Sequence, residues 1–255
     1  MENTLLVALS RQVSLERQMA VISNNVANIN TTGFKADKSI FEEFLRTPAS
    51  EDNFVGNDRR VSFTQDRGTY HDFAQGPTEQ TNSPLDVAID GRGFLVVQTP
   101  QGERYTRNGA LQINAQGQLV TMGGHPVMGT SGPIVFQPGD QNINISQDGQ
   151  VTVREGNNTT VDSVRGKLRI ASFDQPQRLQ KDGLNLYSAP NGLAPTVDLT
   201  NRVRQGVIEK SNVSAVAEMS RMIEVMRTYQ SVAAMMQQQG DLRKTSIERL
   251  ADVPA

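Results

Sequence analysis

MENTLLVALSRQVSLERQMAVISNNVANINTTG, residues 1–33, carries the clearest periodic signal in the chain. Met1, Leu5, Ala8, Gln12, Leu15, Met19, Ile22, Val26 and Ile29 are separated by steps that alternate between four and three, and only Gln12 is polar. A period near 3.5 sustained for about four heptads predicts an amphipathic helix with a coiled-coil seam. Glu2, Arg11, Glu16 and Arg17 all fall off that seam. Asn24, Asn25, Asn28 and Asn30 then accumulate, amides suited to bonding backbone groups at a helix end. Thr31-Thr32-Gly33 predicts the stop, with glycine where a left-handed cap is wanted.

The other end of the chain mirrors this pattern. Ser211-Asn212-Val213 offers capping side chains, and residues 214–253 contain no proline and a single glycine, Gly240. Val216, Met219, Met222, Ile223, Met226, Tyr229, Ala233 and Met236 predict an apolar stripe, while Glu218, Arg221, Glu224 and Arg227 recur every three residues along a solvated face. Five of the nine methionines (Met219, Met222, Met226, Met235 and Met236) lie in this segment, and flexible thioethers suit an adaptable packing surface.

Between the two helices the period falls to two. Leu85, Val87 and Ile89 alternate with Asp86, Ala88 and Asp90, and Phe94-Leu95-Val96-Val97 is a short buried strand. Further short strands follow as far as Leu184–Tyr187, separated by turn dipeptides such as Asn108-Gly109, Gln116-Gly117, Asp148-Gly149 and Asp182-Gly183. Strands this short and closely spaced predict an all-β domain of sandwich or barrel type. The fold class expected is therefore α+β: N- and C-terminal helices forming a coiled-coil-like domain, with an inserted all-β middle. The boundaries read as 1–32 and 208–255 for the helical assembly domain, 33–82 and 190–207 for a β-rich connection, and 83–189 for the β domain. Each terminal helix shows more apolar surface than one partner covers, so both are expected to pack against other copies or sister chains.

Composition removes several functions. The 255 residues contain no Cys and no Trp, which excludes disulfide scaffolds and thiolate chemistry. With 25 Lys plus Arg against 27 Asp plus Glu, no field steers nucleic acid or an anionic bilayer. No apolar run approaches the ~18 residues of a membrane span. The start, Met1-Glu2-Asn3-Thr4, lacks a basic n-region, so cytoplasmic residence or export without cleavage is expected. His71 and His125 stand in turn-like contexts without a second ligand. Asp86–Gly91 has Ala88 at the third position and Val97 at the twelfth, which breaks an EF-hand ligand set. The reading calls for no catalytic residues, no metal and no cofactor.

Four separated segments then resemble one family. Ser23-Asn24-Asn25-Val26-Ala27-Asn28-Ile29-Asn30-Thr31-Thr32-Gly33-Phe34-Lys35 is similar to the N-terminal signature of bacterial flagellar rod and hook proteins. Gln205-Gly206-Val207-Ile208-Glu209-Lys210-Ser211-Asn212-Val213 is similar to its C-terminal signature. Leu85–Phe94 and Tyr105-Thr106-Arg107-Asn108-Gly109 resemble its β-domain segments, in the right order. Length and a single modest β domain look most like the proximal-rod type, with the distal-rod type as the alternative and an oligomeric surface-binding β module as a more remote one.

The resemblance implies a structural subunit, exported unfolded by the flagellar type III route and assembled helically into the rod that carries motor torque across the periplasm. Its implied partners are copies of itself and other flagellar rod proteins, extending to export and ring components of the hook–basal body, with neither nucleic acid nor a membrane span. The candidate assembly interface comprises Leu5, Leu15, Met19, Ile22, Asn24, Asn25, Val26, Asn28, Ile29, Gly33 and Phe34 at one end. At the other it comprises Ser211, Asn212, Val213, Met219, Ile223, Met226 and Tyr229.

Overall fold

The computed structural model describes residues 2–45, 62–156, 162–190, 192–196 and 200–251, apart from the side chains of 2–5, 41–45, 62–67, 250 and 251. The chain forms two compact units, Met1–Ala27 with Asp37–Tyr70 and Ser214–Ala255, and Asn28–Ala36 with His71–Val213.

The first unit holds α1 (Glu2–Ala27), α2 (Ala215–Ala251) and the paired strands β1 (Asp37–Leu45) and β2 (Ser62–His71). Asn25 meets Glu218 while Gln12 meets Tyr229, so the two helices run antiparallel. Leu15, Ile22 and Val225 are buried between them, with Met19, Val26, Met222, Tyr229 and Val232 packed around. Each fully buried aliphatic side chain of this kind contributes about 1.5–3 kcal/mol. Along α1 the expected row is buried or half-buried from Ala8 to Val26. The stripe expected on α2 is not single. The face toward α1 is Met222, Val225, Tyr229 and Val232, whereas Val216, Met219, Ile223 and Met226 form a second row left in solvent.

The second unit is built from short strands: β3 (Thr78–Gln80), β4 (Val87–Asp90), β5 (Phe94–Thr99), β6 (Gly102–Thr106), β7 (Leu111–Ile113), β8 (Leu119–Thr121), β9 (Met128–Gly129) and β10 (Gly132–Pro133). These are followed by β11 (Asp140–Ile145), β12 (Gln150–Glu155), β13 (Asp162–Lys167), β14 (Ile170–Ala171), β15 (Gln180–Lys181), β16 (Leu186–Ser188), β17 (Arg202–Gln205) and β18 (Val207–Glu209). The largest sheet runs β14-β5-β6-β16-β15, and β11-β12-β13 form a second. The remaining strands pair by twos. Strands of two to six residues interrupted by tight turns give several small sheets in place of the expected sandwich or barrel.

β5 explains how these pieces share an interior. Its residues alternate in the strand period: Leu95 and Val97 enter a cluster with Val87, Ile89, Leu119, Ile134 and Val151. Phe94 and Val96 face the opposite side, into an aromatic cluster with Tyr105, Phe173 and Tyr187. His71 packs edge-on against Phe73 and Tyr187 in the same region. The last two strands close the unit by returning to its beginning. β17 pairs with β4, setting Val203 opposite Ile89, and β18 pairs with β3, setting Ile208 opposite Glu79.

Two helix-end expectations are corrected. α1 stops at Ala27, six positions before Gly33, so Gly33 is not its cap. Gly33 does take a positive φ of 68°, but its stronger constraint is proximity: a Cβ there would lie 2.5 Å from the backbone of Arg107 and Asn108. α2 begins at Ala215, with the Glu218 N–H donating to Ser214 O at 3.0 Å, so Ser211 and Asn212 do not cap it. Both serve the second unit instead.

Candidate assembly interface

The candidate residues separate by unit. In the helical unit, Leu15, Met19, Ile22, Val26 and Tyr229 all belong to the α1–α2 packing within one chain. The Tyr229 hydroxyl accepts from Gln12 Nε2 at 2.7 Å and donates to Glu16 Oε1 at 3.0 Å, which brings the one polar seam position into the contact. Asn25 is buried. Its amide donates to Asp37 O at 2.8 Å and to Glu218 Oε2 at 3.3 Å, while its oxygen accepts from the Asp37 N–H at 2.8 Å. One side chain thus joins α1, β1 and the first turn of α2. Asn24 is exposed. Leu5 falls in α1, but its side chain lies outside the described residues.

Met219, Ile223 and Met226 are 52%, 54% and 46% exposed. With Val216 they keep steps of three, four and three, the same spacing that marks a buried helical seam. On α1, Leu6, Leu9 and Val13 are also exposed. Among the described residues, α1 and α2 thus both present apolar side chains to solvent.

In the second unit, Asn28 Oδ1 accepts from the Thr31 hydroxyl at 3.1 Å, closing the turn after α1, and Ile29 is half-buried beside it. Phe34 is buried, with Lys181 Nζ 4.0 Å above its ring. Asn212 donates to Asp72 O at 2.8 Å and Ala74 O at 3.1 Å, and accepts from the Ala36 N–H at 2.8 Å. Ser211 is buried and accepts from the Val213 N–H at 3.3 Å, with Val213 half-buried.

Beside these lies a buried ionic cluster that the motif readings did not single out. Lys35 and Glu209 are fully buried and Arg107 is 3% exposed. Lys35 Nζ donates to Glu209 Oε1 at 2.5 Å and to Ala74 O at 2.7 Å. The Gly76 N–H donates to the same Oε1 at 2.9 Å, and Arg107 Nη1 reaches Oε2 at 3.4 Å. Arg107 Nη2 donates to Gly91 O at 2.7 Å, and its guanidinium lies 5.1 Å over the Phe94 ring. Burial pulls both cations below their ordinary pKa values, against the attraction of Glu209. All four motif segments meet here: Gly33–Lys35, Ile89–Phe94, Arg107 and Val207–Asn212.

One signal for Glu209 was legible. In Val207-Ile208-Glu209 the strand period places Glu209 on the same face as the apolar Val207. Nothing local marks Lys35 or Arg107 as its partners, since they are distant in sequence. Val225 escaped because it lies one position short of Met226, and the choice of face depends on where α1 sits.

Residues 5–35 match the family model "Flagella basal body rod protein", residues 88–153 match "Flagellar hook protein FlgE/F/G D1 domain", and residues 204–249 match "Flagellar basal body rod FlgEFG protein C-terminal". The chain is 36% identical to the flagellar basal-body rod protein FlgF of Caulobacter vibrioides, covering 99% of this chain and 100% of that one. It is 32% identical to FlgF of Mesorhizobium japonicum over 98% of each. It is also 36% identical to a rod protein FlgG of Buchnera aphidicola, over 83% of this chain and 86% of that one.

The chain belongs to the flagellar basal-body rod protein family. It is a structural subunit of the flagellar basal body, and no described helix is long and apolar enough to cross a membrane.

Proposed function

We propose that this subunit builds the proximal rod through the exposed row Val216, Met219, Ile223 and Met226 on α2, packed against other copies and sister rod proteins. Leu15, Ile22 and Val225 hold α1 to α2 within each subunit. The observation that carries this reading is a regularly spaced apolar row left in solvent on a chain whose other helical seam is buried. In this reading α1 and α2 wind as a coiled coil and, as residues 1–32 and 208–255, form the assembly domain. Residues 33–82 and 190–207 connect it to a β domain at 83–189. Relatives named FlgF align over nearly the whole chain, which favours the proximal over the distal type. In this reading the flagellar type III system exports the chain unfolded into the rod within the periplasm, and its role is to transmit torque by packing rather than to catalyse a reaction.

Met226→Asp tests the reading. A charge at a half-exposed position costs the isolated chain little, but it cannot be desolvated in a subunit contact without a partner. The variant is expected to be secreted at wild-type levels, to retain wild-type helicity, and to give cells without completed rods or motility. Normal motility would contradict the proposal.

A further inference from the structure

We propose that Glu209 is a latch: the segment 28–36 after α1 and the segment 71–77 close onto the β domain only when β18 brings Glu209 between Lys35 and Arg107. Among the described residues of this unit two cations, Lys35 and Arg107, are buried, and Glu209 is the carboxylate bonded to both. Asp72 adds a weaker attraction on Lys35 from within the 71–77 segment itself. Glu209 follows Lys35 by 174 residues, so the carboxylate that both cations share is supplied by the last strand of the unit. A buried charge stripped of its partner is among the most destabilising arrangements a protein interior can hold. Until β18 pairs with β3, Lys35 and Arg107 are therefore better left in water.

Backbone bonds tie the same segments to the same event. The Gly33 N–H donates to Glu209 O at 2.8 Å, the Gly76 N–H donates to the Glu209 carboxylate, and the Lys210 N–H donates to Pro77 O at 2.8 Å. The Asp72 N–H donates to Ala36 O at 2.8 Å, and Asn212 bonds Asp72, Ala74 and Ala36. Gly33 rests directly on the Arg107–Asn108 backbone, so the segment has one seat and little room for a partly closed form. The exit from α1 and the entry to α2 thus open and close as one cooperative event. A chain lacking residues beyond 208 keeps both open.

Native-state hydrogen exchange on the full chain, read by peptide mass spectrometry, tests this. In the wild type, peptides spanning 31–36 and 207–212 are expected to share one opening equilibrium and one denaturant dependence, distinct from the better protected β5. Glu209→Gln is expected to speed exchange in both peptides together by about a hundred-fold while β5 is unchanged. Adding Lys35→Met to Glu209→Gln removes an unpaired cation, and recovery of about tenfold of that protection is expected. Independent opening of the two peptides in the wild type would overturn the latch. So would a Glu209→Gln effect confined to 207–212 or spread evenly through β5, or a double variant no better than Glu209→Gln. If Glu209→Gln does not fold, the wild-type coupling alone decides.

Discussion

Ile22→Asp is expected to separate α1 from α2 within the subunit, lowering the stability of the helical unit by about 4 kcal/mol or more. Ile22 is 2% exposed in a cluster whose other fully buried members are Leu15 and Val225. The substitution removes a large aliphatic contact and places a carboxylate among apolar side chains. Because this is the helices' only shared buried cluster among the described residues, a loss of that size exceeds what the surrounding contacts restore. Thermal melts followed by far-ultraviolet circular dichroism should lose the helical transition, whereas Ile22→Val should cost only about 1 kcal/mol. An unchanged melt for Ile22→Asp would show that α1 and α2 do not hold each other in the free chain. Met226→Asp, by contrast, should leave that melt intact, and the difference separates packing within a subunit from packing between subunits.

Gly109→Ala should be nearly as damaging in the β domain. A Cβ at this position would fall 1.7 Å from Val87 O, far inside any tolerated contact. The Val87 N–H also donates to Gly109 O at 2.9 Å, so the two backbones cannot part without losing that bond. Val87 is buried in the main apolar cluster and begins β4, which β17 pairs with. Displacing it therefore disturbs core and sheet together, with an expected loss of about 3 kcal/mol or more. Chemical denaturation should show a lower midpoint with the slope preserved, while Gly123→Ala, at a turn where a Cβ meets side chains only at ordinary contact distance, should show a much smaller change.

These two positions also show what the sequence makes legible. Ile22 could be placed because its neighbours in the seam lie three and four residues away, and helical periodicity is a local property. Asn108-Gly109 predicts a turn, yet the constraint on Gly109 is the carbonyl of Val87, which only the folded chain brings near. The same distinction governs the site. The α1 seam, the short strands and the meeting of the two chain ends follow from spacing and turn residues. The split of the α2 stripe, the recruitment of Ser211 and Asn212 away from capping, and the Lys35–Glu209–Arg107 cluster depend on partners far along the chain. Asn25 lies between these cases: an amide near a helix end suggests backbone bonding, but its partners at Asp37 and Glu218 belong to two other elements.

The central claim is that one apolar row of α2 is buried by neighbouring subunits while the other is buried within the chain. The natural sequence contains no cysteine, so Met226→Cys and Val225→Cys each carry a single thiol. Maleimide labelling of each, in the isolated chain and in purified basal bodies, distinguishes the two rows directly. The thiol at 226 should label in the isolated chain and be protected in basal bodies, and that at 225 should be protected in both. Equal labelling at 226 in the two states would contradict the claim.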